Sequence, residues 1–311
     1  MSIRARLALA SDLPAVRKLV NDHELNVDPA ASLMSESSTS DFMAGYVEPS
    51  PTHLLSWGEE EDFSAVVNLH PDSVRRRYFA DVYASPHLEQ LEEVVGWALR
   101  QAASEHPDWQ IWPGMNSKDY RLRQVWGRFG FLFLRQYFTM RMSIGELVEH
   151  HNPEGLQIRA LDVASDKEMQ LWHSLHQRSF SGHFGFASRP FENWIELVQS
   201  ESSRDPNGVW LAEFQGVPVG FCECSDEYAE VRRGFISSIG VIEEFRGLGV
   251  GEALLRHGIS YCARKGYKDV ELNVDTGNES GALRLYEKVG FIAESSWIQM
   301  ANDNWRDQVA S

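Results

Sequence analysis

The amino-acid sequence predicts an α/β protein built from two tandem domains, each a mixed sheet flanked by helices. The main observation is an internal repeat in the 311-residue chain. The segment "WGRFGF", Trp126 to Phe131, has a counterpart in "YEKVGF", Tyr286 to Phe291. In both copies a helical run, an apolar stretch and a polar loop precede the segment, and a strand-like run follows it.

The two halves also begin in the same way. Near the N-terminus, "IRARLALASDLPAVRKLVND" predicts a short strand followed by an amphipathic helix, with Ser11 and Asp12 as candidate helix N-caps. The stretch "LQIRALDVASDKEMQLWHSLHQRSF" repeats this plan, with Ser165 and Asp166 in the corresponding places. The repeat therefore extends over the length of each half.

These repeats set the predicted domain boundaries. The first domain is expected over 1–145 and the second over 155–311. The joint is the polar stretch 150–155, in which Pro153 and Gly155 act against regular structure.

Individual elements are predicted from hydrophobic periodicity and from turn residues. In the first half we predict a helix over 87–106, a strand over 108–112, a polar loop over 113–119 and a strand over 133–144. In the second half we predict strands at 156–161, 208–214, 217–225, 234–241, 269–274 and 295–300, and helices at about 166–179, 190–201, 249–265 and 279–289. Gly216, in "EFQGVPVG", is expected in a hairpin turn.

Composition limits the function classes. Apolar residues make up 43% of the chain and charged residues 24%, which is typical of a soluble globular protein. The sequence contains no apolar run of the roughly 18 residues that span a bilayer, and its N-terminus does not resemble a signal peptide, so we expect a cytoplasmic protein. The net charge of −16 disfavours nucleic acid or an anionic membrane as partner and is compatible with a small cationic substrate such as an amine.

Cys222, Cys224 and Cys262 are too few to form a disulfide framework. Because Cys222 and Cys224 alternate in a predicted strand, their side chains share one face. No further ligand follows them at metal-site spacing, so we expect buried free thiols and no bound metal.

The stretch "VIEEFRGLGVG", Val241 to Gly251, joins a predicted strand to a predicted helix. The unpaired N–H groups and the dipole of a helix N-terminus together favour an anion, and glycine lets a phosphate approach the backbone closely. Neither common nucleotide-binding motif fits this stretch. A P-loop would need Lys-Ser or Lys-Thr after the glycines, and the dinucleotide-binding pattern G-x-G-x-x-G is not matched.

The pattern that does match is R-x-x-G-x-G, formed by Arg246, Gly249 and Gly251. Together with the preceding strand "SSIGV" and the downstream segment "VDTGNESGALRLYEKVGF", it resembles the acyl-CoA-binding motifs of the GNAT superfamily of N-acyltransferases. The resemblance is clear over about 155–300 and weaker in the first half. It implies a twisted, mostly antiparallel sheet in each domain and acetyl-CoA as the acyl donor.

The resemblance also implies a role for each matching residue. Ile239, Gly240 and Val241 lie on the strand that receives the pantetheine arm, where an N–H group polarises the thioester carbonyl. Asn278 matches an asparagine that contacts the same arm, and Tyr286 matches a tyrosine that protonates the departing thiolate. The loop that holds the pyrophosphate comprises Arg246, Gly247, Leu248, Gly249, Val250 and Gly251. At helical spacing, Tyr286 has the alternative role of a core residue.

The general base and the acceptor pocket are less well defined by the sequence. Glu223 is the first candidate base because it lies one strand before the cofactor strand and faces away from the two neighbouring cysteines; a solvated strand face is the alternative. His183 and Phe184 lie in the aromatic-rich segment "FSGHFGF", where this fold forms its acceptor pocket. His183 is a candidate base or substrate contact, with a structural role as the alternative.

The first half lacks the corresponding chemistry. Where the second half has the glycine loop, the first has "ASPHLEQLEE", which contains no glycine and places Glu89, Glu92 and Glu93 where they would repel a phosphate. Trp126 occupies the position of Tyr286. We therefore predict a non-catalytic first domain.

The sequence as a whole predicts an acetyl-CoA-dependent N-acetyltransferase that acts on the primary amine of a small molecule, most simply as a monomer, with a homodimer as the alternative. Tandem proteins of this size resemble the mycothiol synthase family, which acetylates the cysteinyl amine of a sugar-linked thiol. That family carries its base on the strand "GFISSIGV", where ungapped matching puts Phe235. The alternatives are mycothiol synthase proper, a sensing module that binds acetyl-CoA without turnover, and a scaffold without cofactor.

Overall fold

A computed structural model describes residues 3–45, 48–57, 62–145, 151–278 and 280–308 of the chain. By its contacts the chain divides into two compact units. The first unit contains Met1–Phe138 together with Glu294–Ser311, and the second contains Thr139–Ala293. This division differs from the domain boundaries predicted from the repeat, because it assigns the C-terminal residues to the first unit. Of the predicted joint, His150 lies outside the described residues.

The first unit contains the strands and helices predicted for it, together with further elements for which no prediction was made. Its elements are β1 (Ile3–Leu7), α1 (Leu13–Val27), α2 (Glu36–Ala44), β2 (Thr52–Trp57), β3 (Ala65–Asp72), β4 (Arg77–Ala84), α3 (Leu91–Glu105), β5 (Gln110–Asn116), α4 (Tyr120–Arg128) and most of β6 (Leu132–Ser143). The C-terminal strand β12 (Ile292–Ala301) adds to this sheet, since Trp297–Gln299 pair antiparallel with β5. The described order is β1-β2-β3-β4-β5-β12, antiparallel except between β4 and β5.

Apolar residues cover both faces of this sheet. On one face α3 and α4 bury a large core that includes Val94, Leu99 and Trp126. On the other face α1 and α2 bury a smaller cluster around Val16 and Phe42. Alternate residues of a strand point to opposite faces, so β2, β3 and β4 contribute to both clusters.

The second unit repeats the same plan. Its elements are β7 (Leu156–Ala160), α5 (Asp166–Phe180), α6 (Phe191–Ser200), β8 (Arg204–Phe214), β9 (Val217–Ser225), β10 (Arg233–Val241), α7 (Val250–Arg264), β11 (Asp269–Asp275) and α8 (Ala282–Val289). The strand order is β11-β10-β9-β8-β7, with antiparallel pairs except between β10 and β11. The α/β class and the mostly antiparallel sheets are therefore confirmed.

The end of β6 belongs to the second unit, where its Arg141 forms an ion pair with Glu271 of β11. Arg141 donates to the buried carboxylate of Glu271 from Nε at 3.2 Å and from Nη2 at 3.0 Å, and Arg233 contacts the same oxygen at 3.2 Å. Two guanidinium groups therefore compensate one fully buried carboxylate, which keeps the burial of that charge tolerable.

The three cysteines are free and buried, as predicted. Cys222 and Cys224 lie on the face of β9 that packs against α7. A Cβ atom added at Gly258 of this helix would come within 3.0 Å of the Cys222 sulfur. The small residue at 258 lets α7 approach the sheet closely, and the thiols fill the gap as apolar groups.

Local signals were confirmed in part. Gly216 lies in a hairpin turn, as predicted; the turn has two residues, Gln215 and Gly216, with φ values of 51° and 78°. Ser165 caps α5 by accepting from the Glu168 amide at 3.4 Å. Asp12 also stands at a helix N-cap, but its carboxylate accepts from Arg6 and from the Leu9 amide instead of from a helix amide.

One predicted loop was wrong. The first four residues of 113–119, Pro113 to Asn116, continue β5. Parallel pairing aligns Ala80 with Pro113 and Asp81 with Gly114, and β12 pairs on the other side. The loop signals of proline, glycine and asparagine are outweighed here by pairing on both edges. The predicted start of α8 at 279 lies outside the described residues.

Among the helices of the described residues, none combines the length and the apolar character needed to cross a membrane.

Candidate active site

The strands β10 and β11 of the second unit separate part-way along their length. Parallel pairing joins Arg233–Ile236 to Asp269–Leu272 and stops there, although β10 continues to Val241. Residues 237–241, the last part of β10, therefore extend past the point where its pairing with β11 ends. A strand edge of this kind presents main-chain donors and acceptors to a ligand.

A β-bulge marks the point at which the strands separate. The register between β9 and β10 shifts between Ile236 and Ser238, so that Ser237 is the extra residue. The Ser237 hydroxyl donates to the carbonyl oxygen of Glu223 at 3.4 Å. Bulges bend a strand and redirect its groups, and they are common beside active sites. The corresponding ladder of the first unit, β3 with β4, runs without a shift from Ala65 to Asp72.

The glycine loop follows directly from this strand. Gly247 and Gly249 have φ values of 77° and 80°, which side-chain-bearing residues rarely adopt. A Cβ atom at Gly247 would meet nothing within 4 Å, so the outside of the loop is open. The first hydrogen bond of α7 runs from the Ala253 amide to the Gly249 carbonyl at 3.1 Å. The loop therefore leads into a helix N-terminus suited to an anion.

Arg246 braces the loop. Its Nε donates to the carbonyl oxygen of Val241 at 3.1 Å, and its Nη2 donates to the carbonyl oxygen of Ser179 at 2.9 Å. These bonds tie the loop to the end of β10 and to α5. The sequence pattern suggested a phosphate contact for this side chain, and the bracing contacts were not foreseen.

Asn278 organises the entry to α8. Its Oδ1 accepts from the Ser280 amide at 2.9 Å, and its own amide donates to the Asp275 carbonyl at 3.1 Å. The Asp275 carboxylate in turn accepts from the Gly277 amide at 2.9 Å. This chain of short-range bonds fixes the turn between the end of β11 and the helix that carries Tyr286.

Tyr286 lies on α8 with 6% of its surface exposed. Its ring packs near Phe291, with the ring centroids 6.2 Å apart. Burial, reinforced by the neighbouring Cys222 thiol, raises the pKa of the Tyr286 hydroxyl. The hydroxyl is therefore protonated at neutral pH, the form that a proton donor requires.

Glu223 lies on β9 directly opposite Ser238, beside the bulge. Burial, together with the nearby Glu201, raises the pKa of its carboxyl to about 8, against an ordinary value of 4.5; Arg204 and the Ser237 hydroxyl act in the opposite direction. A carboxyl with a pKa near the working pH is suited to exchange a proton with a substrate. The side chain points away from the face that carries Cys222 and Cys224, as predicted.

Aromatic and imidazole rings line the same face of the sheet, over α5. The rings of Phe180 and His183 lie 4.5 Å apart. Burial, with a contribution from the Arg246 charge, lowers the pKa of His183, and burial lowers the pKa of His176 to about 4. Both imidazoles are thus neutral at pH 7. Phe184 remains 42% exposed at the edge of this region.

Ser179 is a residue of this site that sequence reasoning missed. Its side chain packs against β10, where a Cβ atom at Gly240 would come within 2.7 Å of both Ser179 Cβ and Phe221 Cε1. Its Oγ is buried without a hydrogen-bond partner among the described residues. The helical pattern could indicate only that Ser179 lies on the buried side of α5. Its contact with Gly240 depends on how α5 packs on β10, which the local sequence does not show.

In the first unit, side chains occupy the corresponding end of β4. The Ala84 amide donates to His23 Nδ1 at 3.3 Å, and His23 Nε2 contacts the Asp119 carboxylate at 3.1 Å. Beside them the amide of Asn116 donates to Glu24 at 3.2 Å. Trp126 is fully buried with its ring 4.8 Å from that of Phe131, repeating the pairing of Tyr286 with Phe291 without a phenolic hydroxyl.

The segment 169–291, which contains the loop, the bulge and Tyr286, matches the model of the acetyltransferase (GNAT) family. This segment of the chain is therefore a GNAT acetyltransferase domain, as the sequence motifs predicted. Two solved structures share the fold of almost the whole chain. A GCN5-related N-acetyltransferase from Sphaerobacter thermophilus superposes with a TM-score of 0.78 at 20% identity, covering 96% of this chain and 95% of that one. A tandem GNAT protein from the clavulanic acid biosynthesis pathway gives a TM-score of 0.76 at 13% identity, covering 97% and 98%.

Among curated proteins, the chain is similar to mycothiol acetyltransferases. That of Thermobispora bispora is 34% identical over 168 residues, which are 52% of this chain and 56% of that protein. That of Saccharomonospora viridis is 27% identical over 269 residues, which are 81% and 84% of the two chains. The matched segment spans only a little more than half of the Thermobispora bispora protein and of its Streptomyces griseus counterpart, at 56% and 58%.

Proposed function

We propose that the second unit is an acetyl-CoA-dependent N-acetyltransferase that acts on the primary amine of a small molecule. The observation that carries the proposal is the separation of β10 from β11 at a bulge, immediately before a glycine loop and a helix N-terminus. This arrangement offers an unpaired strand edge for an extended arm and a concentration of amides for a diphosphate.

The acyl donor would lie along β10. The main-chain groups of Ile239 to Val241 would pair with its amide-containing arm, and the amides of 246–251 would surround its phosphates. Asn278 fixes the turn after β11, the strand from which β10 separates. One amide of the strand would also stabilise the negative charge that develops on the thioester oxygen, an effect worth about 3–4 kcal/mol in other enzymes.

The chemistry proceeds by direct transfer. The acceptor enters as the neutral amine, and Glu223 takes one N–H proton as the nitrogen bonds to the thioester carbonyl carbon and forms a tetrahedral intermediate. When the carbon–sulfur bond breaks, Tyr286 donates its proton to the departing thiolate, and solvent restores the tyrosine. No covalent intermediate on the protein is required, which agrees with the burial of all three cysteines.

The proposed acceptor is a small amine bound against α5, near His183 and Phe184. The relatives named mycothiol acetyltransferase favour one candidate in particular, the cysteinyl amine of a sugar-linked thiol. Phe235 occupies the strand position that carries the base in that family, and here its ring packs on Tyr228 at 5.4 Å. Glu223, on the neighbouring strand, would take over the role of the base.

The test is a thioester-cleavage assay on the full chain. Purified protein, acetyl-CoA and a panel of amines are incubated together, and released thiol is followed with a chromogenic reagent; acceptors that carry a thiol are followed by mass of the product. Acetyl-CoA binding is measured separately by calorimetry. We expect binding, and thiol release that depends on one class of amine.

The other outcomes are equally informative. Binding without turnover on any amine would contradict the enzyme and favour a sensing module. Absence of binding would contradict both and favour a scaffold.

A further inference from the structure

A cavity of about 300 Å³ opens on the first unit, and none of its lining residues belongs to the candidate active site. Its lining comes from four strands of that unit, and four of the eight lining residues are aromatic. The lining residues are His70, Phe79, Asp81, Tyr83, Trp112, Gly114, Trp297 and Gln299. A concave site that combines aromatic side chains with a few polar groups is the usual form of a small-molecule pocket.

Close packing builds this cavity. A Cβ atom at Gly114 would lie 2.5 Å from Trp297 Nε1, so only glycine at this position leaves room for the indole. Pairing of β12 with β5 sets Gln299 opposite Gly114 and Trp297 opposite Asn116. The pairing of β12 with β5 thus places the Trp297 indole against β5, next to Gly114.

One carboxylate enters the cavity. Asp81 has 16% of its side chain exposed, and its Oδ2 lies 3.1 Å from Nε2 of the buried His70. The carboxylate therefore lines the cavity while it contacts the buried imidazole. An anionic group at the wall of an aromatic pocket favours a cation and disfavours an anion.

The aromatic rings already stabilise a cation within the protein. The Arg77 guanidinium lies 4.0 Å from the Trp112 ring centroid and 4.6 Å from that of Phe79. Asp72 compensates this charge, since Arg77 Nε donates to it at 3.1 Å. These two rings thus already contact a compensated cation, which shows that the aromatic groups of this part of the unit pack favourably against positive charge.

We propose that this cavity binds an organic ammonium ion, with its alkyl groups against Phe79, Trp112 and Trp297 and its charge directed to Asp81. Aromatic faces attract alkylated ammonium groups and discriminate them from neutral groups of the same shape. All lining residues belong to the first unit, so this site is separate from the transferase site of the second unit and does not depend on the proposed activity.

The test measures binding of three probes to the full chain without acetyl-CoA: choline, tetramethylammonium and methylammonium. Tryptophan fluorescence reports the event because Trp112 and Trp297 line the cavity, and calorimetry gives the stoichiometry. We expect one site per chain for at least one ammonium ion. The neutral isostere of choline, 3,3-dimethylbutan-1-ol, should bind at least tenfold more weakly, a factor of about ten being a modest cation–π contribution.

Two variants locate the site. Asp81→Asn should weaken ammonium binding by about tenfold or more by removing the charge. Asp108→Asn, which removes an exposed carboxylate of the same unit with 58% of its side chain exposed, should leave binding unchanged. Thermal melting checks that both variants are folded. If Asp81→Asn does not fold, the comparison of choline with its isostere on the natural chain decides alone.

Three results would overturn the inference. These are no binding of any ammonium probe up to about 10 mM, equal affinity for choline and its neutral isostere, or equal weakening by both asparagine variants. Each is independent of the transferase proposal, since Tyr286→Phe is expected to bind the ammonium probes normally.

Discussion

Glu223 shows how the surroundings of one residue change its proton affinity. On a solvated strand it would ionise near its ordinary pKa of 4.5, but burial on β9 raises the pKa to about 8. The bulge at Ser237 brings the residue to the point where β10 leaves β11. The sequence could place the carboxylate on the strand before β10, but it could not show that the environment changes the proton affinity of this group.

Glu223 leads to a prediction on pH dependence. A general base acts in its ionised form, so kcat/KM should rise with pH and level off above an apparent pKa of about 8. Glu223→Gln should lower kcat/KM by about 10²- to 10⁴-fold and remove this limb of the profile. The profile is measured with an acceptor amine of low pKa, so that ionisation of the amine itself does not produce the same limb.

The matched control is Glu192→Gln, which changes an exposed carboxylate of α6 in the same unit. It should leave both the rate and the profile unchanged. A Glu223→Gln enzyme with an intact alkaline rise would remove Glu223 from the role of base.

Melting curves give a second readout: because the folded pKa is raised, the ionised carboxyl destabilises the fold increasingly as pH rises from 4.5 through about 8. Glu223→Gln should therefore gain stability relative to the natural chain at pH 9 but not at pH 4.

Tyr286 gives a second prediction at the same scale. Tyr286→Phe keeps the buried ring and removes only the hydroxyl, so packing against Phe291 is retained. We expect kcat to fall by about 10²-fold while acetyl-CoA affinity stays nearly unchanged, because the lost group acts on the departing thiolate. Turnover is measured by thiol release and affinity by calorimetry.

Tyr261→Phe serves as the control. It removes a hydroxyl that donates to Asp205 on the α7 side of the same unit and should leave kcat unchanged. If both variants lose turnover equally, loss of stability explains the effect and Tyr286 is not the acid.

The glycine loop belongs to the scale of elements, because its function depends on the path of the backbone. Gly247→Trp places a large side chain where the outside of the loop is open, and we expect acetyl-CoA affinity to fall by more than about tenfold. Calorimetric titration with acetyl-CoA measures the change.

Gly216→Trp is a close match as a control. Gly216 has a φ of 78°, against 77° at Gly247, and a Cβ atom at either position meets nothing within 4 Å. The backbone strain of the two substitutions is therefore similar, but Gly216 lies in a hairpin turn. Retained affinity in Gly247→Trp, or an equal loss in both variants, would contradict the assignment of the loop.

The predicted elements show where a sequence pattern is sufficient. The hairpin around Gly216 and the helices α5 and α7 follow from local periodicity and turn chemistry, and their bounds agree within one or two residues. Pro113 to Asn116 were predicted as loop because proline and glycine disfavour strands. Pairing with β4 and with the distant strand β12 decided otherwise, and neither pairing can be read from a local window.

At the scale of the whole molecule, the two units share one order of strands and helices but differ at the end of the strand that corresponds to β10. The second unit has a bulge, a separated strand pair and a glycine loop. In the first unit the end of β4 is bonded to His23, and an acidic helix start replaces the loop. The sequence predicts that the first unit is non-catalytic, and this stays a prediction. It did not indicate that the unit keeps an aromatic cavity with a carboxylate, because the lining residues are far apart along the chain.

The sequence by itself determined most of the helices and strands that local patterns predict, the duplication and the family of the domain, because these depend on short patterns and fixed spacings. The tertiary structure alone decided the proton affinity of Glu223, the bracing of the loop by Arg246, the contact of Ser179 with Gly240 and the cavity around Asp81. Each of these depends on groups from separate elements being brought together and removed from water. Burial and proximity of that kind are properties of the packed chain, and no local stretch of sequence encodes them.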